Sequence, residues 1–308
     1  MRLPALALLT FGLALGTTAL AGHSDKAARV ELGRRLFYDA DLSRDGTMAC
    51  ATCHEQFHAF ADGNRTHPGV TDEPGRRNVP GLGNVRRFSP LTWADPRQKT
   101  LADQVSVPVL GTHPVEMGMA GQEGEIVRRL AANPCYRALF ARAFPSGDGS
   151  VTYSRVAGAL ASFEATLISR GSPYDRGMLS DQARAGQKII RRDCARCHKG
   201  RDFTDLRFHA LEAPQPRDLG LFEITGKAAD KGAFRTPSLR NVTVTAPYLH
   251  DGASPTLAAA IARHGLHYAA PDQAAIEAFL SALTDQGFLT NPALSLPKPG
   301  TCPVTNKP

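Results

Sequence analysis

Aromatic residues are scarce in this 308-residue chain, at 7% of the total, and Trp93 is the only tryptophan. A stacking groove for sugars or single-stranded nucleic acid has too few platforms at that level. Beyond the first residues there is no run of about 18 apolar residues, so the mature chain is expected to be soluble, without a membrane span. No stretch alternates apolar and polar residues long enough to predict a strand, and no tandem repeat appears. The six cysteines are too few for a disulfide scaffold at this length and must be read by their spacing. Hydrophobic content of 42% and charged content of 21% are ordinary for a globular protein, which argues against wholesale disorder. The length fits two domains, and 28 Gly with 22 Pro predict many loops.

The formal charge is +7 and the isoelectric point about 9.3. Such basicity invites a nucleic-acid reading, but the Lys and Arg are scattered and no nucleic-acid-binding motif appears. Met1 to Ala21 carries Arg2, an apolar run from Leu3 to Leu15, and Ala19 and Ala21 around Leu20. This reads as a secretory signal cleaved before Gly22. The alternative is an uncleaved N-terminal anchor. Export places the chain in an oxidising compartment.

Four cysteines fall in two identical frames, Cys50-Ala51-Thr52-Cys53-His54 and Cys194-Ala195-Arg196-Cys197-His198. C-x-x-C-H is the attachment signature of a c-type haem. Two thiols take the two vinyl groups of one porphyrin, and the adjacent His reaches the iron. A zinc ribbon would keep its Cys pairs about 15–20 residues apart, and these pairs are far more distant. A thioredoxin-like motif has no use for the His. Two haems are therefore expected, and export supports them. Leader removal takes away Arg2, and four haem propionates would then bring the holoprotein to roughly +2, so the excess base has a cofactor to neutralise. A bacterial periplasm fits best. Cys135 and Cys302 remain, and in an exported chain a disulfide between them is the simplest expectation. Two unrelated thiols are the alternative.

Periodicity predicts helices over Asp25 to Tyr38, Glu125 to Phe144 with a break at Pro134, and Tyr153 to Ser169. Gly171 to Asp175 reads as a linker. Ser180 or Asp181 can cap the helix that delivers Cys194. Short helices follow at Thr256 to His264 and from Pro271. Asp62 to Pro96 and Arg201 to Pro237 read as loops. The expected division is a leader (1–21), an N-terminal haem domain (22–170) and a C-terminal haem domain (171–308), the tail packing back on the first domain.

Several stretches carry a family resemblance. In the first half they are Leu32-Gly33-Arg34-Arg35-Leu36-Phe37, Leu42-Ser43, Phe60-Ala61-Asp62-Gly63, Arg77-Asn78-Val79-Pro80 and Pro114-Val115-Glu116-Met117-Gly118. In the second half they are Ser172-Pro173-Tyr174-Asp175, the run Arg235 to Val242, and Pro247 to Gly252. With the haem frames they resemble the bacterial di-haem cytochrome c peroxidase and MauG family over roughly Leu32 to Gln286. That likeness implies an all-α fold of two cytochrome c-like domains, one haem each, with long irregular loops. It implies that hydrogen peroxide reacts at the His54 haem beneath Glu116, with Gln104 and Pro108 in the same pocket. A carboxylate there can carry a proton from the near peroxide oxygen to the far one. Trp93 matches the aromatic between the haems. Asn78, Thr245 and Pro247 match oxygen donors to a calcium ion.

Two departures sharpen the resemblance. The sixth ligand of the second haem is Met in the cytochrome c peroxidases and Tyr in MauG. The family's count of eight from Thr256 lands here on His264, with His267 as the nearby alternative. Imidazole in place of thioether lowers the potential. Secondly, Val70 falls where many of the peroxidases have a blocking His, and His67 is displaced, so an open first haem is expected. His58 reads as a solvent or propionate contact. The combination resembles the MbnH-like, methanobactin-associated branch. Its implied activity is oxidation of a tryptophan to kynurenine on a copper-binding, MbnP-like partner, through a bis-Fe(IV) state. The alternatives are a cytochrome c peroxidase fed by a small electron-donor cytochrome, and a non-catalytic electron-transfer cytochrome.

Overall fold

The computed structural model describes residues 15–211 and 217–298, with side chains from Asp25 onward. The expected leader and Cys302 fall outside those side chains. The chain is mostly helical: α1 (Leu15–Phe37), α2 (Cys50–Cys53), α3 (Leu101–Leu110), α4 (Glu123–Ala132), α5 (Pro134–Ala143), α6 (Tyr153–Glu164), α7 (Asp181–Asp193), α8 (Phe222–Thr225), α9 (Leu257–Ala262), α10 (Ala270–Ser281) and α11 (Gln286–Thr290). None of the described helices is long and apolar enough to cross a membrane.

Side chains at the helix starts explain where five of them begin. Thr100, Asn133, Thr152, Ser180 and Thr256 each accept a backbone N–H from the first turn of α3, α5, α6, α7 and α9. Asn133 ends α4 and caps α5, and Pro134 fits the first turn, where no N–H is needed. The break expected at Pro134 is therefore a change of helix.

Two expectations need correction. The helix expected to reach Ser169 stops at Glu164. Thr166 turns its hydroxyl onto the Phe163 carbonyl at 2.7 Å, and Asn84 donates its backbone N–H to Leu167 O at 2.7 Å. Local and long-range bonds there replace the helical ladder. The absence of strands was also wrong. Strand β1 (Phe208–Ala210) pairs antiparallel with β2 (Ala233–Arg235), Phe208 opposite Arg235. Three residues are too few to display alternation.

The two haem frames are built on matching helix pairs. Helix α1 precedes the first frame and packs on α6, and α7 precedes the second and packs on α10. Each crossing has a glycine at its tightest point. A Cβ on Gly33 would lie 1.8 Å from Ala159 O, and one on Gly186 1.9 Å from Ala275 O. Glycine lets the two backbones meet. One buried cluster runs from Leu32 to Leu167 and takes in Phe288, Leu289 and Leu294. The other gathers residues between Ile189 and Leu283. Tyr38 donates its hydroxyl to Leu294 O, and Gln56 its amide to Phe288 O and Asn291 O, so residues 288–294 lie on the first cluster. Cys135 is disulfide-bonded, and its expected partner, Cys302, lies outside the described residues.

Candidate haem centres

The first frame forms the single turn α2, anchored by Ala49 N–H on Thr52 Oγ1 at 2.9 Å. His54 follows directly and donates Nδ1–H to Phe60 O at 2.7 Å. Ala59 and Phe60 adopt left-handed backbone at φ 55° and 60°, which swings that carbonyl behind the imidazole. The second frame repeats the device. His198 Nδ1 meets Phe203 O at 3.1 Å, and Phe203 is at φ 52°. His264 Nδ1 meets Ala260 O at 2.8 Å. An Nδ1 held by a carbonyl fixes the tautomer and leaves Nε2 free for a metal. Burial lowers the pKa of His54, and takes that of His198 down to about 4, so both imidazoles are neutral and ligand-competent.

The ring centres of His198 and His264 are 6.3 Å apart. Two imidazoles clamping one iron through Nε2, at about 2.0 Å each and with ring centres about 1.1–1.2 Å behind each nitrogen, would sit about 6.3 Å apart. The residues present therefore fit a haem between them. A cavity of about 380 Å³ opens there, lined by Cys194, Cys197, His198 and His264 and extending to Trp93. His267 is exposed and not among the lining residues.

All four frame cysteines are free thiols. Burial raises the pKa of each, Cys53 to about 12 and Cys194 to about 11, so they stay protonated. The pairs pack against different buried clusters. Among the described residues the only cluster of three or more His, Cys, Asp or Glu side chains close enough to share a metal ion is Cys197, Asp205 and His209. A four-cysteine zinc site is not formed.

Beside the first frame, Gln104 and Pro108 are four residues apart on α3 and share its face. Met117 donates its N–H to Pro108 O at 3.0 Å, which ties the Glu116 loop to that helix. Val70 donates its N–H to Glu116 O at 2.8 Å. Gly69 permits this approach, since a Cβ there would lie 1.8 Å from Val115 O. Burial raises the pKa of Glu116, opposed by the charge of His67. His67 also lowers that of His54, so it stands near both groups. Its Nδ1 is bonded to Pro68 O at 2.9 Å. His58 is bonded to Val244 O at 2.9 Å and packs on Phe57.

Trp93 is 8% exposed and donates Nε1–H to Asn78 O at 2.8 Å. Asn78, Thr245 and Pro247 line the same cavity as Trp93. Asn78 Nδ2 donates to Asn64 O and Arg65 O, so its two amide hydrogens are directed at those carbonyls and away from Oδ1.

Among the buried charged side chains to which sequence reasoning gave no role, two stand beside the frames. Glu164 is 5% exposed on α6, close enough to Cys50 to raise its pKa, and its Oε2 has no partner. Its signal was an acid four residues after Leu160 on the apolar stripe. Arg235 is 4% exposed and lines the second cavity. It stood inside a recognised stretch without a role.

Residues 27–183 match the family model described as di-haem cytochrome c peroxidase. The methylamine utilization protein MauG of Methylophilus methylotrophus is 35% identical over 236 residues, covering 73% of this chain and 68% of that protein. Cytochrome c551 peroxidase of Nitrosomonas europaea is 30% identical over 277 residues, covering 84% and 81%. A solved MauG-like protein associated with microbial copper homeostasis superposes with a TM-score of 0.83 at 32% identity, covering 88% of this chain and 93% of that one.

Proposed function

Because the chain belongs to the di-haem cytochrome c peroxidase and MauG family, and is thereby an oxidoreductase of the di-haem peroxidase type, we propose that it uses hydrogen peroxide to oxidise a tryptophan of a copper-binding, MbnP-like partner to kynurenine. The observation that carries this reading is His264 facing His198 at 6.3 Å. That pair departs from the Met of the peroxidases and the Tyr of MauG, as in the MbnH-like branch. Similarity to the MauG-like copper-homeostasis protein supports the same branch.

Two covalently attached c-type haems follow from the family, and when bound they would supply the iron that takes up the oxidising equivalents of peroxide. In this reading Cys50, Cys53 and His54 hold the peroxidatic haem, and Cys194, Cys197, His198 and His264 the other. Glu116 acts as the acid–base group. Its raised pKa lets the carboxyl hold a proton that Oε can pass between the two peroxide oxygens. Gln104 and Pro108 shape that pocket, and Trp93 bridges the two sites. Asn78 Oδ1 with the carbonyls of Thr245 and Pro247 would hold a calcium ion, an oxygen-only donor set. We also propose a periplasmic location after leader cleavage, and the division at 170–171. The two separate buried clusters support that division.

The test is to mix holoprotein, copper-loaded partner and peroxide and to map the partner's tryptophans by mass spectrometry. Kynurenine is expected. An unmodified partner, with rapid peroxide-dependent oxidation of reduced cytochrome c, would establish the plain peroxidase instead. Glu116→Gln is expected to slow the reaction with peroxide by about 10²-fold or more, read by stopped-flow absorbance. Unchanged kinetics would remove Glu116 from the mechanism.

A further inference from the structure

The cavity between His198 and His264 is lined by one buried cation that no carboxylate of the described residues balances; Arg196, also on its wall, is exposed to solvent. Arg235, on β2, donates Nε–H to Thr92 O at 3.1 Å, Nη2–H to Leu91 O at 3.3 Å and Nη1–H to Thr236 O at 3.5 Å. All three acceptors are neutral carbonyls. Among the described residues no Asp or Glu oxygen lies within 4.0 Å of it. Arg240, five residues on and equally buried, shows the contrast: it grips Asp175 with both terminal nitrogens at 2.8 Å. The nearby carboxylates are engaged elsewhere. Asp193 is held by Arg192 and Tyr268, Asp205 by His209, Asp95 by Arg97 and Asp202 by Arg87 and Arg170.

A guanidinium stays protonated in proteins. Burial with no opposing charge lowers the Arg235 pKa to about 10, still well above neutrality. A lone buried charge costs several kcal/mol, and buried charges are accordingly paired. Three of five N–H donors are used, which leaves two for an anion. The counter-ion must arrive with whatever fills the cavity.

We propose that Arg235 is a positioning residue that receives a propionate carboxylate of the haem held by His198 and His264. Its own N–H is bonded to Trp93 O at 2.7 Å, so the same residue fixes that carboxylate beside the bridging tryptophan. The inference rests on the haem reading of this cavity. A propionate paired with Arg235 remains ionised with its charge compensated, so the potential of that haem does not follow the propionate's titration. Without the guanidinium, the bare anion stabilises the oxidised iron at high pH, and protonation relieves it at low pH. Arg196, His209, His250, Tyr248 and Tyr268 also line the cavity. They are common to wild type and variant, so the difference between the two isolates the propionate.

The experiment is spectroelectrochemical titration of the low-spin haem in holoprotein, wild type against R235Q and R235K, over about pH 5 to 9. Attached haem is counted on the same samples. The R235Q potential is expected to meet that of wild type at the acid end and to fall increasingly below it as pH rises, while R235K stays near wild type. Parallel wild-type and R235Q profiles, with both haems attached, overturn the role of Arg235 and leave the haem reading intact. A wild-type protein with no second haem overturns the haem reading itself. Should R235Q not fold, wild type decides by redox-difference infrared spectroscopy: an ionised propionate is expected, and a protonated one overturns the pairing.

Discussion

At the residue scale, what was legible was chemistry tied to a fixed local spacing. The frames at 50–54 and 194–198 carry the C-x-x-C-H pattern of a c-type haem within five residues, so the pattern alone suffices to see them. Glu164 has no such frame. It differs from a solvated helix acid only through the packing of α6 against α1, which no local pattern records. Burial raises its pKa to about 8. A carboxyl whose folded pKa exceeds its unfolded value binds a proton in the native state that the unfolded chain has released. The sign of the linkage is therefore inverted from the usual carboxylate. Stability is full below about pH 4.5, falls as pH rises toward 8, and is level beyond, with a total loss of roughly 5 kcal/mol. Glu164→Gln removes the titration and keeps the shape. Thermal melts of holoprotein should show the variant gaining on wild type steadily between pH 5 and 8. A constant difference across that range would mean that Glu164 is already ionised in the folded protein.

At the scale of elements, helices with a capping side chain and a clear apolar stripe were readable, because both signals are local. The end of α6 was not, since Asn84, 80 residues upstream, helps to set it. The ladder of β1 and β2 was hidden by its brevity. The glycines of the helix crossings were visible as letters but not as contacts. Gly33→Ala puts a methyl into Ala159 O, and only separation of α1 from α6 relieves it. The expected loss is about 2–3 kcal/mol or more, seen as a lower melting temperature of the holoprotein. Gly158, on α6 itself, has nothing within 4 Å of a built Cβ. Gly158→Ala should be neutral or gain up to about 1 kcal/mol through helix propensity. Equal losses at both positions would refute the close-approach argument and leave only a general intolerance of side chains.

At the scale of the whole molecule, two haem frames implied two halves, yet nothing in the sequence showed how they are joined. Ion pairs between residues about 140 positions apart are among the contacts that tie the two stretches together. Asp218 Oδ2 accepts Arg77 Nε at 2.8 Å, and Oδ1 accepts Arg77 Nη2 at 2.7 Å and Arg76 Nη2 at 3.3 Å. Glu223 also takes Arg76. Arg77 immediately precedes Asn78, whose carbonyl holds the Trp93 indole, so this clamp also steadies Trp93. Burial raises the Asp218 pKa, but the Arg77 hydrogen bonds and the charges of Arg77 and Arg76 outweigh it and leave it below the ordinary range. A depressed folded pKa gives stability that is present above the unfolded value, near pH 4, and disappears as pH falls through the folded one. Asp218→Asn should therefore cost about 1–3 kcal/mol at neutral pH, with a gap in melting temperature from wild type that narrows as pH falls through and below the ordinary carboxylate range. A gap that persists unchanged into acid would mean that the loss comes from shape and hydrogen bonding at 218, and that the charges across the join contribute nothing.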